Sequence, residues 1–301
     1  MREPCDCREP SVIGRHARLE LAFGVRGGRT TLDHAYAEPP FRVGRWFPEG
    51  EGLHMILVMT APGVFGGDCL EQSVHVAPHA SVRLTSQAAM QGHPGISAGG
   101  DTPAVARLVS LYELGAGASL HCHWDPVIPF ARARLDQRLE LRLAADSRLY
   151  WSDAFLAGRD ARGERWQFAS FAHELSVSRE GVLEYLERYR VAPEDGRIGQ
   201  RWVSDTASYM GTTLVSGPVV HTASIERLHR DLAALSGLRG AADRLGDRLL
   251  LVRLLADEGV RFHEARALVR RSIGSAIIEP WSTTGTSRFS SAVDLHREST
   301  A

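Results

Sequence analysis

The sequence predicts a mostly β fold, a helical or layered β body with α-helices in the C-terminal part. Short segments in which apolar and polar residues alternate recur between residues 12 and 191, as in half-buried strands. Turn signals rich in glycine and proline separate them at intervals of about 8 to 15 residues, which favours an all-β body over alternating strand and helix units. After residue 213 the apolar residues follow helical spacing.

Seven segments carry the strand pattern. They are 16–23, 53–59, 73–76, 80–85, 104–112, 119–124 and 135–143. Between them lie turns such as Gly27-Gly28, Pro39-Pro40 and the Gly-Gly-Asp sequence at 66–68. The sequence therefore predicts a β body over residues 12–212.

The spacing of apolar residues changes in the C-terminal part. Segments 224–242 and 246–273 carry leucine, isoleucine and valine at helical spacing, although 247–256 begins like a strand. Segment 262–273 places apolar residues on one helical face, namely Phe262, Ala265, Leu268, Val269 and Ile273. We expect an α-containing part at 213–278 and a poorly ordered, serine- and threonine-rich tail at 279–301, all within a single domain of 1–301.

Composition excludes several classes of function. The formal net charge is −1, which gives no electrostatic footprint for nucleic acid or for anionic lipid. All 35 basic residues are arginine, so chemistry that requires a lysine is excluded. No signal peptide or membrane-spanning apolar segment is predicted, and we expect a cytoplasmic protein. The 4 cysteines are few for this length, and reduced thiols are expected.

The glycine-rich segment at 60–68 invites comparison with phosphate-binding loops. A Walker loop needs a terminal Gly-Lys-Ser/Thr, and a dinucleotide loop needs a helix after its glycines. Here the segment from Cys69 to Val76 continues as a strand pattern, which excludes a nucleotide site. Spacing favours a hairpin in which Asp68 holds the turn, with a functional carboxylate as the alternative.

Two further groups of residues could carry chemistry. His121 and His123 lie on one side of a strand, with Cys122 on the other, and two imidazoles are half of a metal site. Surface histidines are the simpler interpretation. Asp153, Asp160 and Glu164 surround the turn at Gly158 and Arg159, where an ion pair is the more common role than catalysis.

Several segments in fixed order resemble the urease accessory protein UreD/UreH family. The most recognisable is Met-Thr-Ala-Pro-Gly-Val-Phe-Gly-Gly-Asp at 59–68, which includes Gly66, Gly67 and Asp68. The others are 19–21, 28–32, 40–43, 84–89, 126–130, 151–153, 158–164 and 186–188. The match is spread over most of the chain, and the ordered set is more specific than any one segment.

The resemblance implies a non-catalytic scaffold or metallochaperone. It would act with UreF and UreG to deliver nickel to apo-urease (UreABC), with nickel bound transiently, no tightly bound cofactor, and a dimer of the accessory complex. In this family acidic residues line the nickel route, and the matching positions are Asp68, Asp153 and Glu187. Sparse oxygen donors suit transfer better than a closed cage does.

The sequence also departs from the family pattern. Met90-Gln-Gly-His93 replaces a Lys- and Tyr-containing segment, and His121 to Asp125 replace an acidic residue and a proline. These changes suggest a metal path richer in imidazole, through His93, His121 and His123.

An enzyme remains the alternative hypothesis. A β-rich metal-dependent hydrolase could use His121 and His123 with one carboxylate from Asp68, Asp153 or Glu164. Such a protein would require these side chains to converge in one site.

Overall fold

The computed structural model describes residues 14–95, 104–198, 200, 203–217 and 222–277, so the predicted tail at 279–301 lies outside the described residues. The strands in chain order are β1 (His16–Arg26), β2 (Arg29–Ala37), β3 (Phe41–Glu49), β4 (Gly52–Met59), β5 (Val64–Phe65), β6 (Cys69–Val76), β7 (Ser81–Ser86), β8 (Met90–His93), β9 (Ala106–Leu114), β10 (Ser119–His123), β11 (Val127–Pro129), β12 (Arg134–Leu143), β13 (Arg148–Leu156), β14 (Ser170–Arg179), β15 (Val182–Val191), β16 (Tyr209–Ser216), β17 (Leu238–Leu245) and β18 (Leu249–Ala256). The helices are α1 (Thr222–Ala233) and α2 (Gly259–Ile277), with short 3-10 turns at Asp160–Arg162 and Pro193–Asp195.

The strands form two sheets. Sheet 1 has the order β15-β14-β12-β9-β6-β1-β2, and sheet 2 follows the path β17-β18-β16-β13-β10-β7-β4-β3. The central neighbours of both sheets are parallel, whereas the edges are completed by antiparallel strands. The mostly β prediction is confirmed, and both described helices lie near the C-terminus.

The chain coils between the two sheets, which accounts for the parallel pairing. It passes from β4 through short β5 into β6, from β7 through β8 into β9, and from β10 through β11 into β12. The short strands β5, β8 and β11 pair in parallel along one corner of the coil. Each turn thus contributes one strand to each sheet, as a helical, layered β body requires.

The main core lies between the sheets. Alternate residues of each strand point inward, so Leu139 and Leu141 of sheet 1 meet Leu84, Leu120 and other apolar side chains of sheet 2. These four leucines are at most 2% exposed. Both sheets bury one face against the other, which is the arrangement that the alternating pattern predicted.

The helices cover the outer face of sheet 2. Phe262, Ala265 and Val269 of α2 are buried against residues that include Tyr150 and Val215. The helical interpretation of 224–242 is wrong in its second half, because Leu238–Leu245 is strand β17, paired antiparallel with β18. Helix α1 ends at Ala233, and Gly237, with φ +70, lies in the turn that leads into β17. Pairing with an apolar neighbour strand then outweighs weak local helical spacing. The strand-like start of 247–256 is strand β18.

The cysteines differ from expectation. Cys122 is a buried, free thiol, but Cys69 is disulfide-bonded, so the prediction of reduced thiols throughout is wrong. The Cys69 amide donates to the carbonyl of Arg15 at 2.8 Å, since β6 pairs with β1. The spacing of cysteines in the sequence does not reveal which strands pair or which cysteine forms a disulfide. Neither helix among the described residues has the length and apolarity to cross a bilayer.

Candidate functional site

A cavity of about 630 Å³ lies between the inner faces of the two sheets. Its wall is mainly apolar and includes Leu139, Phe155 and Met210. Three carboxylate side chains belong to the lining residues, and these are Asp125, Asp153 and Glu187. The cavity thus combines a low-polarity wall with a few oxygen donors, which is the usual composition of a binding site.

One row of polar side chains comes from sheet 2. Asp153, Thr212 and Arg253 are register neighbours on β13, β16 and β18, so their side chains share the inner face. Arg253 Nη1 donates to Thr212 Oγ1 at 2.7 Å. The Trp151 indole N–H, two residues before Asp153 on the same face, donates to its carboxylate at 3.0 Å. The row therefore has one carboxylate and one guanidinium at opposite ends.

A facing row comes from sheet 1. Gln137, His173 and Tyr189 are register neighbours on β12, β14 and β15. His173 is 6% exposed, lies 3.3 Å from Gln137 Oε1 through Nδ1, and has its ring centroid 5.1 Å from that of Tyr189. Burial raises the pKa of Tyr189, and the negative charges of Asp153 and Glu187 raise it further. Both carboxylates therefore act on the same phenol.

Glu187 joins the two sheets at this edge of the cavity. Its carboxylate forms an ion pair with Arg253 of sheet 2 and accepts a hydrogen bond from Tyr185 at 2.9 Å. Burial is the main cause that raises the pKa of Tyr185 to about 12; Arg253 opposes the shift and Glu187 adds to it. Among the described residues no guanidinium forms an ion pair with Asp153, so the two carboxylates are unequal as candidate cation donors.

Asp125 is a third carboxylate of the lining. It follows β10 and exchanges two hydrogen bonds with Ser86: the Ser86 hydroxyl donates to the carboxylate at 2.9 Å, and the Asp125 amide donates to Ser86 Oγ at 2.7 Å. The sequence marked this position only as part of a departure from the family pattern. Asp125, His173 and Tyr189 were missed because a loop aspartate and alternating strand residues carry no local motif.

Asp68 does not line the cavity. It is 3% exposed, forms an ion pair with Arg15 at 2.8 Å, and accepts the Phe65 amide at 2.9 Å. Gly66 is needed beside it because a Cβ would stand 2.3 Å from the carbonyl of Ala104, and Gly67 has φ +98. In the structure Asp68 therefore tightens a turn and fixes the start of β1.

His121 and His123 lie on the outer face of sheet 2, opposite to Cys122 and to the cavity. The His121 ring stacks on Tyr150, with centroids 4.4 Å apart, and is 4% exposed, so it is not a surface histidine. Burial lowers the pKa of both histidines, and arginines lower it further. A dication would meet the same arginine charges, which disfavours it there.

Arg266 of α2 also lies on this side of sheet 2, and no sequence motif marks it. It is 2% exposed and donates from Nη2 to the Trp124 carbonyl at 2.8 Å and to Ser152 Oγ at 3.0 Å. Ser152 is the register neighbour of His123. Since Asp153 points to the inner face of β13, the two histidines do not share a site with it, and among the described residues neither histidine belongs to a group of three metal-ligating side chains.

The remaining predicted positions, Gly158, Arg159 and Glu164, make contacts that stabilise their turn. Arg159 forms an ion pair with Glu164 and lies over the Phe130 ring, and hydrogen bonding from Arg159 is the main cause that lowers the pKa of Glu164. Gly158 has φ +126, and a Cβ there would stand 2.3 Å from the Glu164 carbonyl.

His93, the third histidine of the predicted imidazole path, lies at the corner strands. Its ring stacks on Phe65 with centroids 4.5 Å apart and meets the edge of Phe130 at the same distance. It does not belong to the cavity lining. The three histidines therefore do not form a path through the interior.

Metal-binding capacity can be judged from the grouping of donors. In the described ranges a single set of three or more donor side chains has its ligand atoms mutually within 4.8 Å, and it consists of His16, Cys69 and Glu71, outside the cavity. Asp125, Asp153 and Glu187 do not form such a set. The cavity thus offers dispersed oxygen donors and no preformed cage.

Comparisons with known proteins agree on one family. A model described as UreD urease accessory protein matches residues 15–280. Urease accessory protein UreD 2 of Streptomyces griseus is 34% identical over 286 residues, which cover 89% of this chain and 92% of that protein. Urease accessory protein UreD of Lysinibacillus sphaericus is 26% identical over 257 residues, with 85% and 94% covered. UreD 2 of Pseudomonas syringae pv. tomato is 31% identical over 247 residues, with 81% and 84% covered.

Proposed function

Because the chain belongs to the UreD family of urease accessory proteins, we propose that it is a non-catalytic scaffold that helps to deliver nickel to apo-urease, acting with UreF and UreG in the cytoplasm. Nickel is the cargo in this proposal and not a resident cofactor. The family supplies the connection to urease, and the interior of the protein supplies the argument for a route.

The observation that carries the proposal is the cavity between the sheets. A dication that crosses a protein needs donors that compensate its lost hydration, but too many donors would trap it. Asp153 and Asp125 provide carboxylates on a mainly apolar wall, and the described residues form no cage of three donors there. Weak, separated sites favour passage over storage.

Glu187 has a different part in this proposal. Its charge is balanced by Arg253, and the ion pair spans the two sheets beside the cavity. A metal ion could bind Glu187 only by competing with that guanidinium. We therefore assign the first donor role to Asp153, and to Glu187 the role of holding the two sheets together at this edge.

The test is activation of apo-urease by a complex that contains Asp153→Asn. The substitution removes a charge from the cavity wall with almost no change in volume. Expected results are less nickel per urease and less urease activity, with the variant still co-purifying with UreF, UreG and apo-urease. Asp136→Asn is the matched control, because Asp136 lies between inward-facing Leu135 and Gln137 on β12 and so points away from the cavity.

Two outcomes would count against the proposal. Normal nickel content with Asp153→Asn would mean that this carboxylate does not serve the transfer. Hydrolytic turnover by the purified chain with a bound metal would favour the enzyme hypothesis instead, although the separation of His121 and His123 from Asp153 by the plane of sheet 2 gives that hypothesis no assembled site.

A further inference from the structure

The outer face of sheet 1 carries the group of three donors noted above. His16 opens β1, while Cys69 and Glu71 lie on the neighbouring parallel strand β6. His16 Nε2 is 3.4 Å from Glu71 Oε1, and the Cys69 sulfur lies within 4.8 Å of both ligand atoms. Imidazole, thiolate and carboxylate are the three side-chain ligands that Zn²⁺ and similar borderline dications accept.

The position of these donors follows from strand pairing. His16 is the register partner of Cys69, and side chains two residues apart on one strand share a face, which brings Glu71 to the same side. The start of β1 is held in place by the ion pair of Arg15 with Asp68 and by the hydrogen bond from the Cys69 amide to the Arg15 carbonyl. The donors are therefore attached to a fixed backbone.

The charge balance also suits a dication. A thiolate and a carboxylate together neutralise two positive charges, and His16 adds a neutral nitrogen. Two arginines share this face. Arg18, the register partner of Glu71, is already engaged by Glu20 and Glu38, and Arg107, the register partner of Cys69 on β9, is not free either. The histidines on sheet 2 differ, since the positive charges of several arginines act on both of them.

We propose that His16, Cys69 and Glu71 form a binding site for a borderline transition-metal dication, and that the site is available only when Cys69 is reduced. In the structure Cys69 is disulfide-bonded and so cannot offer a thiolate. A dithiol reductant donates two electrons and two protons, which convert the disulfide to two thiols while the reductant becomes a disulfide. Metal binding then releases the proton of the Cys69 thiol.

Three protein ligands leave a further coordination position open, which is typical of sites that exchange metal or bind a ligand. His16 is 52% exposed and Glu71 32% exposed, so solvent and a metal ion can reach the site, whereas Cys69 is 5% exposed and lies beneath them. The site is independent of the proposed nickel route, because it lies on the opposite face of sheet 1 from the cavity.

The test uses the full chain and Co²⁺, whose bonds to thiolate give a charge-transfer band in the near ultraviolet. The protein is reduced with dithiothreitol, freed of the reductant by anaerobic gel filtration, and titrated beside an oxidised sample. We expect the band at one equivalent in the reduced protein and its absence in the oxidised protein. His16→Ala and Glu71→Gln should weaken binding by at least about tenfold, the loss that even outer partners of a metal ligand produce.

His34→Ala is the matched control. His34 lies 3.7 Å from Glu20 on the same sheet, a His–Glu pair of similar exposure that contains no thiol, so its loss should leave the band unchanged. Cys69→Ser should abolish the band, and an unfolding transition for each variant shows whether it is folded. If Cys69→Ser does not fold, the exposed His16→Ala still decides the question.

Three results would overturn the proposal. They are no band in the reduced wild type, an unchanged affinity in both His16→Ala and Glu71→Gln, or equal binding by oxidised protein. Asp153→Asn should retain the band even if it lowers the nickel content of urease, so failure of this site and failure of the proposed nickel route give different results.

Discussion

His123 should make the protein less stable as the pH falls from 7 to 5. Burial is the largest cause that lowers its pKa from 6.5 to about 3, and the charges of Arg266 and Arg270 add to it. Other positive groups that face the ring are His263 and Arg83. Between the two pKa values the unfolded chain binds a proton that the folded protein does not bind. Stability is therefore present above the unfolded pKa and is lost as the pH falls below 6.5.

The size of the effect follows from the two pKa values. At pH 5 the unfolded imidazole is almost fully protonated, whereas the folded imidazole remains neutral. Going from pH 7 to pH 5 lowers the free energy of unfolding by about 2 kcal/mol through His123 alone. His121 acts in the same direction, because burial also lowers its pKa.

The assay is urea unfolding of wild type and His123→Asn at both pH values. Asparagine is neutral throughout, so the variant should lose about 2 kcal/mol less than wild type between pH 7 and pH 5. His121 is present in both proteins and cancels. His75→Asn is the control, since His75 is exposed on β6, and it should keep the wild-type difference. Equal pH dependence in wild type and His123→Asn would refute the reasoning.

Two further predictions concern the glycine-rich turn. Asp68→Ala should lower the free energy of unfolding by about 2 kcal/mol or more in urea, because it removes a buried partner of Arg15 and an acceptor for two backbone amides. The control Asp136→Ala, on the outer face, should cost much less. Equal losses would contradict the structural role of Asp68. In the same assay Gly66→Ala should cost about 1–3 kcal/mol, because the new methyl group would push the Ala104 carbonyl away. The control Gly27→Ala, whose methyl group meets no atom within 4 Å, should cost only its backbone strain of about 1 kcal/mol. An unchanged stability of Gly66→Ala would refute the close contact.

The strands could be predicted because their signal is local. Inward and outward residues alternate along 135–143, and β12 covers Arg134–Leu143 with the leucines buried between the sheets. Segment 238–245 was misread because its sparse leucines fit a helix as well as a strand. Pairing with β18 decides its conformation, and β18 is the neighbour that the sequence alone does not identify.

The site could be predicted only in part. Asp153 and Glu187 were named from the family resemblance, and both lie on the cavity wall. His173 and Tyr189 acquire their positions from the parallel register of β12 with β14 and the antiparallel register of β14 with β15. No spacing within one segment encodes that register. The pairing of His16 with Cys69 was invisible for the same reason, because 53 residues separate them in the chain.

Adjacent residues of β13 contact different groups on the two faces of sheet 2. Ser152 and Asp153 are adjacent on β13, yet Ser152 binds Arg266 on the outer face while Asp153 faces the cavity. The outer face of sheet 2 thus places guanidinium groups beside His121 and His123, whereas the cavity wall has three carboxylates together with Arg42 and Arg253. Because a one-residue shift of β13 would exchange these faces, its register with β10 and β16 decides where a dication meets negative charge. An ion attracted to this protein should therefore favour the interior over the histidine-bearing surface of sheet 2.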